Sequence, residues 1–507
     1  MKILNSIVKL GLIPRANKIL RYMKDPMSVQ LPWFEKLIQQ ARDTEWGKKH
    51  NYASIKTIKE YQERVPINNY EDLKPYIHRM MMGESDVLWK GKVHFFSKSS
   101  GTTSDKSKYI PVPHENLIQC HHNGSYDTLS MWYNSTPQTQ LFSHGKGVVM
   151  GGSLQSFDQF PETTIGDVSA IILNNLPFYA KYFHTPNMKV ALMSEWESKI
   201  DLMAEQISKE NITNVGGVPT WTIVLFRKIL EITGKSNILE VFPNFELYLS
   251  GGVSFLPYKE QFKAFLPSDK IQYREVYNAS EGFFATQINR DEEGMLLLLN
   301  NAVFYEFLPM SEFENPDARA LSIEEVDMNT NYAILISTNA GLWRYLIGDT
   351  VKFVSLYPHR IKITGRTKHF INVFGEEVMV DNSDKAIAMA CEATGALVCE
   401  YTVGPIFLTD GKGGHEWLIE FEKMPPDMEA FRDILDQSLQ SINSDYEAKR
   451  YKSMALDKLV LHAIPSGVFH EWMKSRGKYG GQNKVPRLSN TREYVDAIKA
   501  FNKQIKD

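Results

Sequence analysis

The chain has 507 residues, 43% of them hydrophobic and 23% charged, with a formal charge of −3 at pH 7. This is ordinary globular composition, which excludes long disorder, and the length exceeds what one core usually serves, so at least two domains are expected. Lys and Arg are spread along the chain, which removes the footprint of a nucleic-acid binder, and Cys120, Cys391 and Cys399 offer neither a disulfide framework nor zinc spacing and fit a reducing cytoplasm.

The first stretch, Met1 to Pro14, is apolar, but Lys9 interrupts it and no small-residue cleavage site follows. It reads as an amphipathic packing helix and not as a signal peptide. No apolar run reaches membrane-spanning length. Helices are predicted over 29–48 and 114–133. The second carries His121 and His122, which as chain neighbours do not share a helix face and make a poor metal pair.

Between those helices, residues 97–111 lie between strand candidates at 93–96 and 109–112. Ser99, Ser100, Thr102 and Thr103 supply hydroxyls, Gly101 lets backbone amides turn toward an anion, and Lys106 and Lys108 supply charge. The run suits a polyphosphate, and a solvated hairpin turn has the same composition.

Further along, Leu192, Trp196, Ile200, Met203 and Ile207 recur at helical spacing, which predicts an amphipathic helix over 189–209. Short apolar runs at 147–150, 214–218 and 246–252 end in Gly or Ser with helical spans between them, the pattern of a mostly parallel sheet. In such sheets ligands collect at strand ends. The glycines at 216, 217, 251 and 252 either admit a ligand or simply turn the chain. Residues 295–355 change to strands with tight turns, an antiparallel sheet or small barrel.

The character changes again near Gly365, so the expected domains are 1–365 and 366–507. The second reads as an α+β unit with a helix over 381–394, strands at 397–404 and 417–421, and a helix carrying Met428, Phe431, Leu435 and Leu439.

Three segments carry chemistry besides the hydroxyl-rich run. In Tyr277-Asn278-Ala279-Ser280-Glu281, the carboxylate suits Mg²⁺ beside phosphate oxygens and the tyrosine suits stacking on a base. Residues 341–349 read as an apolar strand ending in Gly348-Asp349. A carboxylate there is able to accept both ribose hydroxyls, each bond contributing roughly 1.5 to 3 kcal/mol. Asp381 to Lys385, at a helix start, offers a lysine able to swing over a nucleotide. Each segment alone also reads as a solvated turn or a helix cap.

In this order, and together with Met80 to Glu84 and Tyr305 to Pro309, these motifs resemble those of the auxin-responsive acyl acid amido synthetases, the Gretchen Hagen family of the luciferase-like acyl-adenylating superfamily. The resemblance implies an α/β fold: a large N-terminal domain of two α/β subdomains plus a β-barrel, and a smaller mobile α+β C-terminal domain. It implies an ATP-dependent, Mg²⁺-assisted ligase that adenylates a small carboxylic acid and passes the acyl group to an amine, an amino acid in the family. Residue by residue, Ser99, Ser100, Gly101, Thr102 and Thr103 would hold the phosphates with Lys108 close by. Tyr277 would contact the adenine, with Ser280 in the same site, Glu281 the Mg²⁺ and Asp349 the ribose. Arg366 lies in the implied hinge, and Lys385 would reach the α-phosphate region, which makes Lys385 and Glu281 the implied catalytic pair.

Two departures stand out. The phosphate run lacks the family's second glycine and has Asp105 nearby, and Leu346 stands where an arginine is usual, with Arg344, on the same side of the expected strand, as the candidate substitute. An acyl-CoA ligase with the same first step is the alternative, which the basic glycine-rich stretch Arg476 to Lys484 keeps open, and a non-catalytic nucleotide-binding protein is another. Trp221 and the 114–133 helix favour a hydrophobic or aromatic acid.

Overall fold

The structure, a computed structural model, describes residues 2–99, 108–143, 145–178, 180–289, 292–313, 315, 317–367, 370–371, 376, 378–407, 413–450, 456–478 and 484–506. The chain divides into two compact units, the first made of Met1–Val253 with Leu266–Lys362 and the second of Ser254–Phe265 with Ile363–Asp507. No helix among the described residues is long and apolar enough to cross a membrane.

In chain order, the strands that begin in the first unit are β1 (Phe95–Ser99), β2 (Lys108–Pro111), β3 (Lys146–Val149), β4 (Leu154–Phe157), β5 (Phe160–Gly166), β6 (His184–Thr185), β7 (Ile212–Gly217) and β8 (Leu247–Gly251). They continue as β9 (Gln272–Ala279), β10 (Gly282–Thr286), β11 (Met295–Leu297), β12 (Val303–Pro309), β13 (Asn331–Thr338), β14 (Tyr345–Leu356) and β15 (His359–Arg366). The small sheet runs β2-β1-β5-β4, and the large one runs β12-β13-β14-β15-β11-β10-β9-β8-β7-β3-β6.

The large sheet changes sense at β9, which pairs parallel with β8 and antiparallel with β10. On the parallel side β6, β3, β7, β8 and β9 all run the same way, as the glycine-ended apolar runs predict. Their carboxyl ends therefore share one edge. That edge gathers Gly151-Gly152, Gly216-Gly217, Gly251-Gly252 and the segment Tyr277 to Glu281.

Three predicted helices differ in detail. The helix expected over 29–48 breaks into Met27–Ala41 and Glu45–Lys49, because the Thr44 hydroxyl caps the second piece by accepting from Gly47 N at 3.0 Å. The helix expected over 189–209 starts at Trp196, leaving Leu192 outside, because the Glu195 carboxylate accepts from the amides of Glu197 (3.0 Å) and Ser198 (2.6 Å). The 114–133 segment is helical throughout but widens to a π-turn over Leu117–His122 before continuing as Asn123–Ser135. Such widenings recur at functional sites.

Gly124 sits where that helix crosses β10. A Cβ built on it would lie 2.3 Å from Phe283 Cγ and 2.6 Å from Phe283 Cβ, so only glycine permits this approach.

The second unit is α+β. It holds β16 (Phe370–Ile371) against β17 (Val378–Met379), and a sheet of β18 (Leu397–Phe407), β19 (Gly413–Lys423) and β20 (Val460–Ile464) in that order. Helix α1 (Val380–Thr394) ends at Gly395, whose φ of +68° closes it in the left-handed region. Helix α2 (Met428–Ile442) is capped by Asp427, and with α1 it covers one sheet face around Ile387, Trp417, Phe431 and Leu435. Residues 468–475 and 493–506 form helices whose apolar faces meet around Val468, Trp472 and Ile498. The segment Ser254–Phe265, interposed between β8 and β9, belongs to this unit through Gln261, whose side-chain amide donates to Val398 O at 3.1 Å.

Gly124→Ala gains about 1 kcal/mol of helix propensity but overpacks against Phe283, which costs about 1–3 kcal/mol. A net loss of up to about 2 kcal/mol is expected, read in denaturant unfolding.

Candidate functional site

Three motifs that lie far apart in the chain meet in the first unit. Ser97, in β1, donates from Oγ to Ser280 Oγ at 2.9 Å, which joins the hydroxyl-rich run to the tyrosine–glutamate motif. The Tyr277 hydroxyl, on β9, donates to Asp349 Oδ2 at 2.6 Å, which joins that motif to the Gly-Asp segment on β14. In sheet order β9 and β14 are separated by β10, β11 and β15. Four strand spacings on a flat sheet are about 19 Å, further than the two side chains reach. The antiparallel half of the sheet is therefore strongly curled, and the curl brings Asp349 to Tyr277.

Asp349 does not end a strand, contrary to the sequence reading. β14 continues to Leu356 and pairs with β13 on both sides of Asp349, with Leu335 opposite Leu346 and Ala333 opposite Thr350. A bulge falls between these pairs, and Gly348, at φ +93°, makes the turn within it. Residues in a bulge leave the ladder and are re-aimed. That is how an interior strand position presents a carboxylate.

Ser99 and Lys108 occupy a paired register position at the mouth of the β1–β2 hairpin. The Lys108 ammonium stands 5.7 Å from the centre of the Tyr70 ring, and Tyr70 Oη accepts from Tyr109 N at 2.9 Å. Ser100, Gly101, Thr102, Thr103, Asp105 and Lys106 lie outside the described residues. Glu281 is buried in the tight turn between β9 and β10, next to Ser280. Arg366 and Lys385 belong to the second unit: Arg366 ends β15, and Lys385 lies in the second turn of α1, with its ammonium 3.4 Å from Asp381 Oδ2.

Arg344 is not the substitute for the missing arginine. It precedes β14 in a left-handed conformation (φ +42°), is buried, and spends its guanidinium on Glu306 (3.1 and 3.2 Å), Val65 O (2.8 Å) and Gln62 O (3.0 Å). The expectation failed because it took Arg344 as a strand residue. This also accounts for Glu306 in the Tyr305 to Pro309 motif, whose buried charge needs a partner.

The helix over 114–135 packs against β10. Asn116 Nδ2 donates to Asn339 Oδ1 at 2.8 Å, and Cys120 Sγ accepts from Phe283 N at 3.3 Å. In the sequence His121 reads as half of a poor metal pair, on a helix that lines a pocket or simply packs in the domain. It is completely buried, neither ring nitrogen has a partner of good hydrogen-bond geometry among the described residues, and burial pushes its pKa down to about 4, with the nearby Asn278 side chain acting the other way. Buried polar atoms without partners are rare enough to mark a place where another group binds. The signal in the sequence was weak, because a histidine on a helix is read by its neighbours in sequence and not by Asn278, more than 150 residues away.

Trp221, at the start of the helix Pro219–Thr233 that follows β7, packs edge-on against Trp196 with ring centres 4.5 Å apart. It is close in sequence to the Gly216-Gly217 edge.

Polar motifs gathered along the carboxyl edge of a mixed sheet make this an α/β protein with its candidate site at that edge, where ligands collect in such folds. The fold is shared with the solved GH3.15 acyl acid amido synthetase, which aligns over 96% of this chain and 95% of its own with a TM-score of 0.76 at 15% identity. It is shared less closely with 2-hydroxyisobutyryl-CoA ligase, at a TM-score of 0.56 and 12% identity over 94% of this chain and 91% of that one. The GH3 family N-terminal domain matches residues 15–152 and 152–271, the central domain 296–366 and the C-terminal domain 381–493, so the chain belongs to the GH3 family. Among curated relatives, the indole-3-acetic acid-amido synthetase GH3.3 of Arabidopsis thaliana is 22% identical over 90% of this chain and 89% of its own. The jasmonoyl--L-amino acid synthetase JAR4 of Nicotiana attenuata is 22% identical over 92% and 91%.

The depressed pKa of His121 has a sign. Below its ordinary value of 6.5 the unfolded chain takes up a proton that the folded site refuses until about 4, so stability falls as pH falls through that window and is unaffected above it. Replacing His121 with Asn should remove of order 3 kcal/mol of this acid-side loss, read as a flatter unfolding free energy between pH 6.5 and pH 4.

Proposed function

We propose that the chain is an ATP-dependent acyl acid amido synthetase. The supporting observation is the pair of hydrogen bonds, Ser97 to Ser280 and Tyr277 to Asp349, that unites the three nucleotide motifs in one place. In this reading Ser99, Ser100, Gly101, Thr102 and Thr103 grip the phosphates of ATP with Lys108, Tyr277 and Ser280 contact the nucleoside side, and Asp349 accepts the ribose hydroxyls. Domains bounded near Gly365 rearrange between the two half-reactions, with Arg366 in the hinge.

A carboxylate is a poor acyl donor because its leaving group would be oxide. In the first step a carboxylate oxygen of the acid attacks the α-phosphorus, the bond from that phosphorus to the bridging oxygen breaks, and pyrophosphate leaves with the electron pair. Two anions must approach each other, so the ammonium of Lys385 offsets charge at the α-phosphate while the hydroxyl loop orients the β- and γ-phosphates. In the second step the nitrogen of an amine, an amino acid for the relative JAR4, attacks the acyl carbon. The carbon–oxygen bond to AMP breaks, AMP departs, and the nitrogen loses a proton to form the amide.

Glu281 is a hard oxygen donor buried beside the Ser280 hydroxyl. That suits Mg²⁺, which uses one or two carboxylates together with substrate phosphates. Bound there, Mg²⁺ would neutralise phosphate charge. The acid is read as hydrophobic or aromatic, from Trp221 against Trp196 and the apolar flank of the 114–135 helix.

The test is ATP–pyrophosphate exchange with a panel of carboxylic acids, followed by product analysis with amino acids or CoA added. Acid-dependent exchange and an amide product are expected. A thioester would indicate the CoA ligase reading, and no exchange with any acid from folded protein would refute adenylation. Asp349→Ala should weaken ATP binding about ten- to a hundredfold, from the loss of charge-assisted bonds, as measured by calorimetry. Unchanged affinity would remove Asp349 from the ribose site.

A further inference from the structure

The second unit contains a buried charged cluster that the reaction scheme does not use. Arg487 Nη1 donates to both oxygens of the Asp384 carboxylate, at 2.6 and 2.7 Å, and both side chains are buried, at 8% and 2% exposure. The same guanidinium donates to Tyr258 Oη at 3.0 Å, Tyr401 Oη donates to Asp384, and Ser383 Oγ lies 2.8 Å from Tyr401 Oη. Glu400 stands 3.8 Å from Arg487.

This cluster ties three pieces of chain together. Asp384 and Ser383 are on α1, immediately before Lys385. Arg487 ends the stretch that follows the basic glycine-rich segment, and its backbone is pinned where its carbonyl accepts from Val403 N at 2.8 Å and where Pro486 O accepts from Thr402 Oγ1 at 2.6 Å. Tyr258 is on the Ser254–Phe265 segment.

We propose that Arg487 is a positioning residue for Lys385, acting through Asp384. This rests on the proposed role of Lys385 in adenylation. Successive helix residues are about 100° apart, so holding both Asp384 oxygens inward on one nitrogen of a guanidinium whose other nitrogen is anchored on Tyr258 fixes the rotation of α1 and therefore the direction in which Lys385 projects. A lysine ammonium stands on the order of 8 Å from its helix axis, so a rotation of roughly 10° displaces it by about 1.4 Å. Misplacement of about 1 Å at a reacting centre costs on the order of a hundredfold in rate. A lysine at 487 keeps the charge but has one nitrogen on a flexible stem, so it does not hold Asp384 and Tyr258 together in the fixed geometry of a planar guanidinium, and the helix is freer to turn.

The experiment is a double-mutant cycle in the full chain, using ATP–pyrophosphate exchange with whichever acid of the panel gives the strongest signal, normalised to folded protein. Arg487→Lys should lower kcat about 10- to 100-fold with KM for ATP within about threefold. In a background already carrying Lys385→Ala it should add little, since both act through one group. Full multiplication of the two losses, or wild-type kcat in Arg487→Lys, overturns the inference while leaving the role of Lys385 intact. Wild-type exchange in Lys385→Ala overturns the role of Lys385, and the inference with it. If Arg487→Lys does not fold, Tyr258→Phe, which removes one bond from the same guanidinium, carries the cycle with the same expected non-additivity.

Discussion

The hydrogen bond from Tyr277 to Asp349 requires a sheet that is parallel on one side and curled on the other. The parallel strands β3, β7, β8 and β9 bring every carboxyl end to one edge, which is why glycine pairs and the Tyr277 to Glu281 segment line up there without being near in sequence. The antiparallel strands then bend until Asp349, four strands from β9, meets the tyrosine. The β-bulge at Gly348 supplies the last adjustment by taking Asp349 out of the ladder.

Around this bond the first unit is held by buried polar contacts in addition to its apolar packing. Arg344 and Glu306 form a buried pair that also satisfies the carbonyls of Gln62 and Val65, and Trp343 packs against Tyr52 (5.2 Å between ring centres) and Trp89 (6.1 Å). Removing one member of such a pair leaves an uncompensated charge, which is strongly destabilising. The motif positions 305–309 and 343–345 are therefore tied to the scaffold, while Asp349 faces the candidate site. In the second unit Asp384 and Arg487 form a similar buried pair, but beside a solvent-reaching lysine, so there the same physics orients a side chain.

Much of the fold was legible because local periodicity reports burial. Apolar runs ending in glycine marked β3, β7 and β8, and helical spacing marked the helix from Trp196 onward. The misreadings came from interactions that periodicity does not see. Glu195 and Thr44 cap helices through side-chain bonds, which moves boundaries by several residues. Arg344 was placed on a strand because its neighbours are apolar, although a left-handed turn precedes β14. The assignment of Ser254–Phe265 to the second unit has no local signature at all, since it depends on Gln261 and Tyr258 meeting residues more than 100 positions away.

The sequence by itself determined the chemistry available: which hydroxyls, carboxylates and ammonium groups stand on which element, and in what order along the chain. These are properties of residue type and spacing. Only the tertiary structure decided which groups meet, that Ser97 reaches Ser280, that Tyr277 takes Asp349, that His121 is buried against Asn278, and that Arg487 grips Asp384 beside Lys385. Each depends on sheet order, curl and helix rotation, which arise from packing between residues remote in the chain and leave no trace in any short window of it.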